Sequence, residues 1–153
     1  MSWRPPLATE RLRAVFDTNV VIAALKSRNP RSPTVELISL WEADKFDLLY
    51  SDDLRAEYER TCAARAVDPT RSKAFLNRLD GSGIRIHVGH VAPVIEADPD
   101  DDKVIACAVV GRADYLVTYD PHFLPLGGEY QGVRIVDGLH FLYIVRGDTP
   151  PRG

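Results

Sequence analysis

Ala14-Val15-Phe16-Asp17-Thr18-Asn19-Val20 is the stretch whose reading decides the fold. The apolar run Ala14 to Phe16 fits a strand of a parallel sheet, buried on both faces beneath helices. Asp17 then stands at the C-terminal end of that strand, where open α/β sheets build their binding sites. Val20 to Lys26 continues as a short helix, so the acid sits between a strand and a helix.

Outward from this stretch the same alternation recurs. A polar loop from Ser27 to Pro33 leads into a helix that Thr34 or Ser32 caps, with Val35, Leu37, Ile38 and Trp41 on its apolar face. Phe46 to Tyr50 is a second strand, and Ser51-Asp52-Asp53 reads as the cap of a helix from Leu54 to Ala66. Asp68-Pro69-Thr70 starts another helix through Leu79, and Gly81-Ser82-Gly83 turns the chain into a third strand over Ile84 to Val88. Asp98-Pro99-Asp100-Asp101 introduces a helix over Val104 to Val110, with Asp98 as its cap and Gly111 as its end. Tyr115 to Thr118 is a fourth strand ending at Asp120. The loop around Gly127-Gly128 precedes a fifth over Val133 to Val136, and a last helix lies near Leu139 to Val145.

This order predicts an α/β chain, a three-layer α/β/α fold around a central parallel sheet of about five strands. At 153 residues and 45% hydrophobic the chain suits one domain spanning 1–153, with a core over about 13–145 and short flexible tails. No apolar run approaches the roughly 20 residues of a membrane span. The opening Met1-Ser2-Trp3-Arg4-Pro5-Pro6 lacks the apolar core of a signal peptide, so the expected location is cytoplasmic. Cys62 and Cys107 match no zinc spacing and read as small buried thiols. A net charge of -3 argues against nucleic-acid binding through bulk positive charge, but not against metal ions held in an acidic pocket.

The acids fall at recurring places on this frame. Asp17 follows the first strand, Glu57 lies about one turn into the helix after the second, Asp98 to Asp102 open the helix before the fourth, and Asp120 follows the fourth. Carboxylates gathered at one sheet edge repel one another and call for a cation, a proton or water between them. Oxygen ligands without a cysteine or histidine set favour Mg²⁺ or Mn²⁺ over zinc. A metal pair roughly 4 Å apart can activate water and stabilise the leaving oxygen of a phosphodiester.

These residues carry a resemblance. Val15-Phe16-Asp17-Thr18-Asn19-Val20 resembles the opening motif of PIN-domain ribonucleases, and Ser51-Asp52-Asp53-Leu54-Arg55-Ala56-Glu57-Tyr58 the second acidic motif. The stretch from Asp98 to Ala108 resembles the third, and Ala113 to Asp120 the fourth. The likeness runs from about Arg13 to Phe141 and is strongest to the bacterial toxin components of toxin-antitoxin modules, similar to the VapC toxins. It implies a Mg²⁺- or Mn²⁺-dependent endoribonuclease, a homodimer, held inactive by a separate antitoxin protein. Asp17, Glu57, Asp101 and Asp120 match the family's acids; Asp102 is the alternative to Asp101 as the third. Asn19 and Thr118 match polar positions that hydrogen-bond to a carboxylate or to metal-bound water. Tyr119 stands where the family often has glycine or asparagine.

Other readings compete. Singly, Asp17 is a helix cap, Glu57 a solvated acid and Asp120 a turn former before Pro121. His122 reads as a loop histidine rather than a proton donor, and Trp41 as core rather than a docking anchor. Lys26, Arg28 and Arg31, with Arg55, Arg60 and Arg65, are solvated surface or a rim that guides phosphate. A haloacid-dehalogenase-like phosphatase would need an aspartate at Asn19, and a receiver domain a lysine after a late strand. The remaining rival is a catalytically inactive PIN-like module that binds RNA or protein without cutting.

Overall fold

The structure is a computed structural model that describes residues 2–7, 10–89 and 99–148, with the side chains of 99–101 left out of the description. Asp98, read as a helix cap, lies outside the described residues, as do the side chains of Asp100 and Asp101.

The first strand, β1 (Arg13–Phe16), has Ala14, Val15 and Phe16 fully buried. It is central, pairing in parallel with β2 (Asp47–Tyr50) on one side and with β4 (Tyr115–Val117) on the other. Burial on both faces and both edges explains why no polar residue interrupts the run. Helices α1 (Thr18–Lys26) and α2 (Pro33–Glu42) lie between β1 and β2. Between β2 and the short edge strand β3 (Ile84–Arg85) lie α3 (Asp52–Ala64) and α4 (Pro69–Ser82). Helix α5 (Pro99–Val110) returns the chain to β4, which a 3₁₀ turn (Pro121–Leu126) follows. The chain continues through β5 (Glu129–Tyr130), β6 (Val133–Val136) and α6 (Gly138–Arg146).

The sheet order is β3-β2-β1-β4-β6-β5. From β1 the chain moves outward one way through β2 and β3, and after α5 it moves the other way through β4 and β6. The reversal falls between β1 and β4, so the C-terminal ends of those two strands flank the crevice where such sheets bind ligands. The register sets Phe16 opposite Val117, which brings the next residues, Asp17 and Thr118, side by side.

Both faces of the sheet are covered. On one, Phe141 of α6 packs at 6.1 Å from Phe16, 5.2 Å from Phe46 and 5.5 Å from Tyr115. Along a strand alternate residues face opposite ways. Val15 therefore points to the other layer with its partner Leu49, whose methyl lies close to Gly111 at the end of α5. Trp41 is buried and packs on Phe75 of α4, and Cys62 and Cys107 are both buried free thiols. No described helix is long and apolar enough to cross a membrane.

Three local features differ from the sequence reading. The sheet has six strands rather than about five, because the region read as a glycine loop contains β5, antiparallel to β6. Gln131 and Gly132 both have positive φ, 45° and 84°, the requirement of a two-residue hairpin turn that matches strand twist. The third strand pairs only over Ile84–Arg85 rather than through Val88. The helix expected to stop at Leu79 runs on to Ser82, and Gly83 caps it, because an added Cβ there would meet the Leu79 carbonyl at 2.7 Å.

Candidate functional site

Asp17 caps α1 from the end of β1. One of its oxygens accepts from the Thr18 N–H at 2.8 Å and the other from the Thr118 hydroxyl at 2.6 Å. Its own N–H reaches the Val117 carbonyl at 2.9 Å, which ties the acid to the neighbouring strand. The carboxylate is thus fixed from β1, α1 and β4 at once, and it is 4% exposed.

Glu57 arrives from α3, whose N-cap Ser51 accepts from the Leu54 N–H at 3.2 Å and fixes where the helix begins. It is 6% exposed and accepts from the Thr18 hydroxyl, so Thr18 serves both acids, one through its N–H and one through its hydroxyl. The next residue, Tyr58, is fully buried and donates its hydroxyl to the Phe16 carbonyl, pinning α3 to the end of β1. Burial, with Cys107, Asp17 and Glu57 adding negative potential, holds that phenol protonated well above its ordinary range.

Asp120 follows β4 and caps the 3₁₀ turn, accepting from the His122 N–H at 2.9 Å. Its N–H donates to the Thr118 hydroxyl at 3.0 Å. That hydroxyl in turn donates to Asp17, so a single buried threonine links the two strand-end acids. Asn19 accepts from the Tyr119 N–H at 3.3 Å and bridges α1 to the same loop.

These side chains share one cavity of about 360 Å³, lined by Asp17, Glu57 and Asp120 with Asn19, Thr18 and Thr61. Lys26 and Arg65, both exposed, stand at its rim, and the Lys26 ammonium donates to the Arg65 carbonyl at 3.0 Å. Acids lie at the floor and cations at the mouth.

Of the remaining sequence candidates, neither Asp102 nor His122 lines this cavity. Asp102 lines a separate, smaller cleft of about 150 Å³ with Ser51, Asp53 and Lys103. Asp101 lies in the first turn of α5, and its side chain is outside the described set. His122 is an exposed loop residue whose Nδ1 lies 3.3 Å from Asp120. Thr18 and Tyr58 were not singled out in the sequence. Their only signal is position, each directly following one of the acids.

The lining donors are carboxylate, amide and hydroxyl oxygens without cysteine or histidine, a chemistry that fits Mg²⁺ or Mn²⁺. Among the described residues no three His, Cys, Asp or Glu side chains form a complete metal-holding group.

No curated protein matches the chain. The PIN domain family matches it over residues 13–122, from the first residue of β1 to the second of the 3₁₀ turn, and so takes in Asp17, Glu57, Asp101 and Asp120. This chain belongs to the PIN domain family, with a nuclease-type fold.

Proposed function

We propose that the protein is a Mg²⁺- or Mn²⁺-dependent endoribonuclease acting in the cytoplasm as the toxin of a toxin-antitoxin pair. The observation that carries the nuclease reading is the floor of the cavity, where two nearly inaccessible carboxylates, Asp17 and Glu57, lie with Asp120 beneath a rim of Lys26 and Arg65. Buried acids that converge on one cleft are candidates for a site of function.

Asp17, Glu57, Asp101 and Asp120 are the residues assigned to hold the ion. Support for Asp101 over Asp102 is that Asp102 lines another cleft. A bound divalent ion would supply water activation and charge neutralisation at the phosphate. The chain's own part is positioning. Thr118 and the Thr18 N–H lock the Asp17 carboxylate, the Thr18 hydroxyl orients Glu57, and Tyr58 fixes the strand end that carries Asp17. Lys26 and Arg65 attract the RNA backbone to the mouth, as exposed cations do for any polyphosphate chain. The toxin role, a separate antitoxin and a homodimer rest on the likeness of the four acidic motifs to the toxin branch.

The test is cleavage of a mixed RNA pool by the purified protein with Mg²⁺, Mn²⁺ or EDTA, beside Asp17→Asn. Cutting that needs metal and vanishes in the variant supports the nuclease. Cutting that persists in EDTA refutes the metal dependence, and a folded, partner-free protein that never cuts refutes the nuclease and favours the binding module.

A further inference from the structure

A second cavity, of about 560 Å³, adjoins the acidic one, and Asp120 and Thr118 belong to its wall. It opens between the loop after β4, the 3₁₀ turn and β6, with Tyr119, Phe123, Leu124 and Val136 among its lining residues. Its size is that of a small-molecule pocket. Tyr119 and Leu124 are 46% and 76% exposed, two of the few large apolar side chains left in solvent among the described residues. An exposed aromatic beside a polar site is a platform rather than core.

Tyr119 is held, not loose. Its N–H bonds Asn19, and its hydroxyl rests against Gly138, where an added Cβ would stand 2.1 Å from the phenol oxygen. The glycine thus provides the seat for the ring at the start of α6. Among the described residues no lysine or arginine lines this cavity, and Asp137 in its wall repels phosphate. Its character is opposite to that of the acidic cavity's mouth, where Lys26 and Arg65 favour phosphate. A ligand spanning both needs a charged backbone on the α1 and α3 side and a flat, neutral group on the β4 and β6 side. Single-stranded RNA has this form, and proteins hold its bases on aromatic faces.

We propose that the second cavity is a nucleobase subsite, in which one base next to the phosphate at the acids stacks on the Tyr119 ring against Leu124. Tyr119 is then a specificity-determining residue, since stacking strength and pocket shape select the base. This inference rests on the nuclease reading for the placement of the phosphate.

The experiment uses short single-stranded RNAs carrying 2-aminopurine at successive positions, mixed with the full chain as Asp17→Asn so that binding is read without cutting. One position should be quenched by stacking. That quench should be lost in Asp17→Asn/Tyr119→Ala and restored by Tyr119→Phe, which keeps the ring. In the chain with Asp17 intact, Tyr119→Ala should raise KM about ten-fold, the effect of one base–aromatic stack, with kcat little changed. Leu124→Ala, at a mostly exposed side chain and so harmless to folding, should shift KM the same way and alter the preferred cleavage sequence.

An unchanged quench with an unchanged KM in Tyr119→Ala overturns the subsite. A wild-type chain that never cuts yet shows the Tyr119-dependent quench supports the subsite and refutes the nuclease reading alone. A wild-type chain that neither binds nor cuts RNA refutes both.

Discussion

Replacing Asp17 by asparagine should leave the metal-free protein almost as stable as the wild type while removing its response to divalent ions. Asparagine keeps the shape of aspartate and an oxygen for the Thr18 N–H, and its amide can face the Thr118 hydroxyl. What changes is charge. The bonds from Thr18 and Thr118, at 2.8 Å and 2.6 Å, lose their charge assistance, at a cost of about 1 kcal/mol each. Against this, Asp17 no longer repels Glu57 and Asp120 in the shared cavity, a relief on the order of 2 kcal/mol at an effective dielectric near 20. The two effects nearly cancel, so the variant should melt within a few degrees of the wild type in EDTA.

Divalent ions break the symmetry. An ion at one hundred times its dissociation constant stabilises the folded state by about 2.7 kcal/mol. For a chain of this length each kcal/mol moves the melting temperature by about 2–4 °C, so the wild type should gain roughly 5–11 °C with Mg²⁺ or Mn²⁺. The assay is thermal melting followed by circular dichroism across a titration of each chloride, with sodium chloride matched for ionic strength to remove general screening. A wild type insensitive to both ions, or an Asp17→Asn chain with an equal gain, would refute the assignment of Asp17 as a ligand.

Thr118→Val removes the hydroxyl that joins Asp17 to the Asp120 N–H, and metal affinity or cleavage should fall about ten- to hundred-fold. Thr118→Ser should recover most of it, and equal losses in both variants would show that the methyl, not the hydroxyl, matters. Trp3 packs edge-on to Tyr115 at 5.7 Å with Arg134 over its ring, yet its indole N–H is buried with no partner among the described residues. Urea unfolding should therefore find Trp3→Phe near neutral and Trp3→Ala costly by about 2 kcal/mol; similar losses would sink the argument. Burial pushes the Cys107 thiol up to about 12 from 9.0, against a smaller opposing hydrogen bond from Ser51. The unfolded thiol ionises first, so its contribution to stability is intact below pH 9 and declines by about 1.4 kcal/mol per pH unit between 9 and 12. Urea melts from pH 8 to pH 10 should show a steeper decline in the wild type than in Cys107→Ala.

How far the site was legible in the sequence follows from what each feature depends on. That acids follow β1 and β4 could be read because strand ends are local: an apolar run stops and a carboxylate begins, as at Phe16-Asp17. That the two ends meet required only the parallel order that alternating strands and helices impose. The hairpin at Gln131-Gly132 was missed because glutamine rarely adopts positive φ and so gives no turn signal.

The hydrogen bonds that organise the acids depend instead on register, which no local pattern encodes. Thr118 lies beside Asp17 only because Phe16 is paired with Val117. A slip of one residue would place Val117 or Tyr119 there and turn every side chain of β4 to the opposite face. The register is set by burial elsewhere along the same strands, where Ala14, Val15 and Phe16 meet Tyr115, Leu116 and Val117 in the core. Packing of these apolar residues thus decides which hydroxyl reaches the carboxylate. The same reasoning separates the two ends of the cleft. The residue after Thr118 is Tyr119, whose hydroxyl comes to rest on Gly138 beside a cavity that no described lysine or arginine lines. One strand end therefore delivers a hydroxyl clamp on the Asp17 carboxylate and an exposed aromatic ring to adjoining cavities.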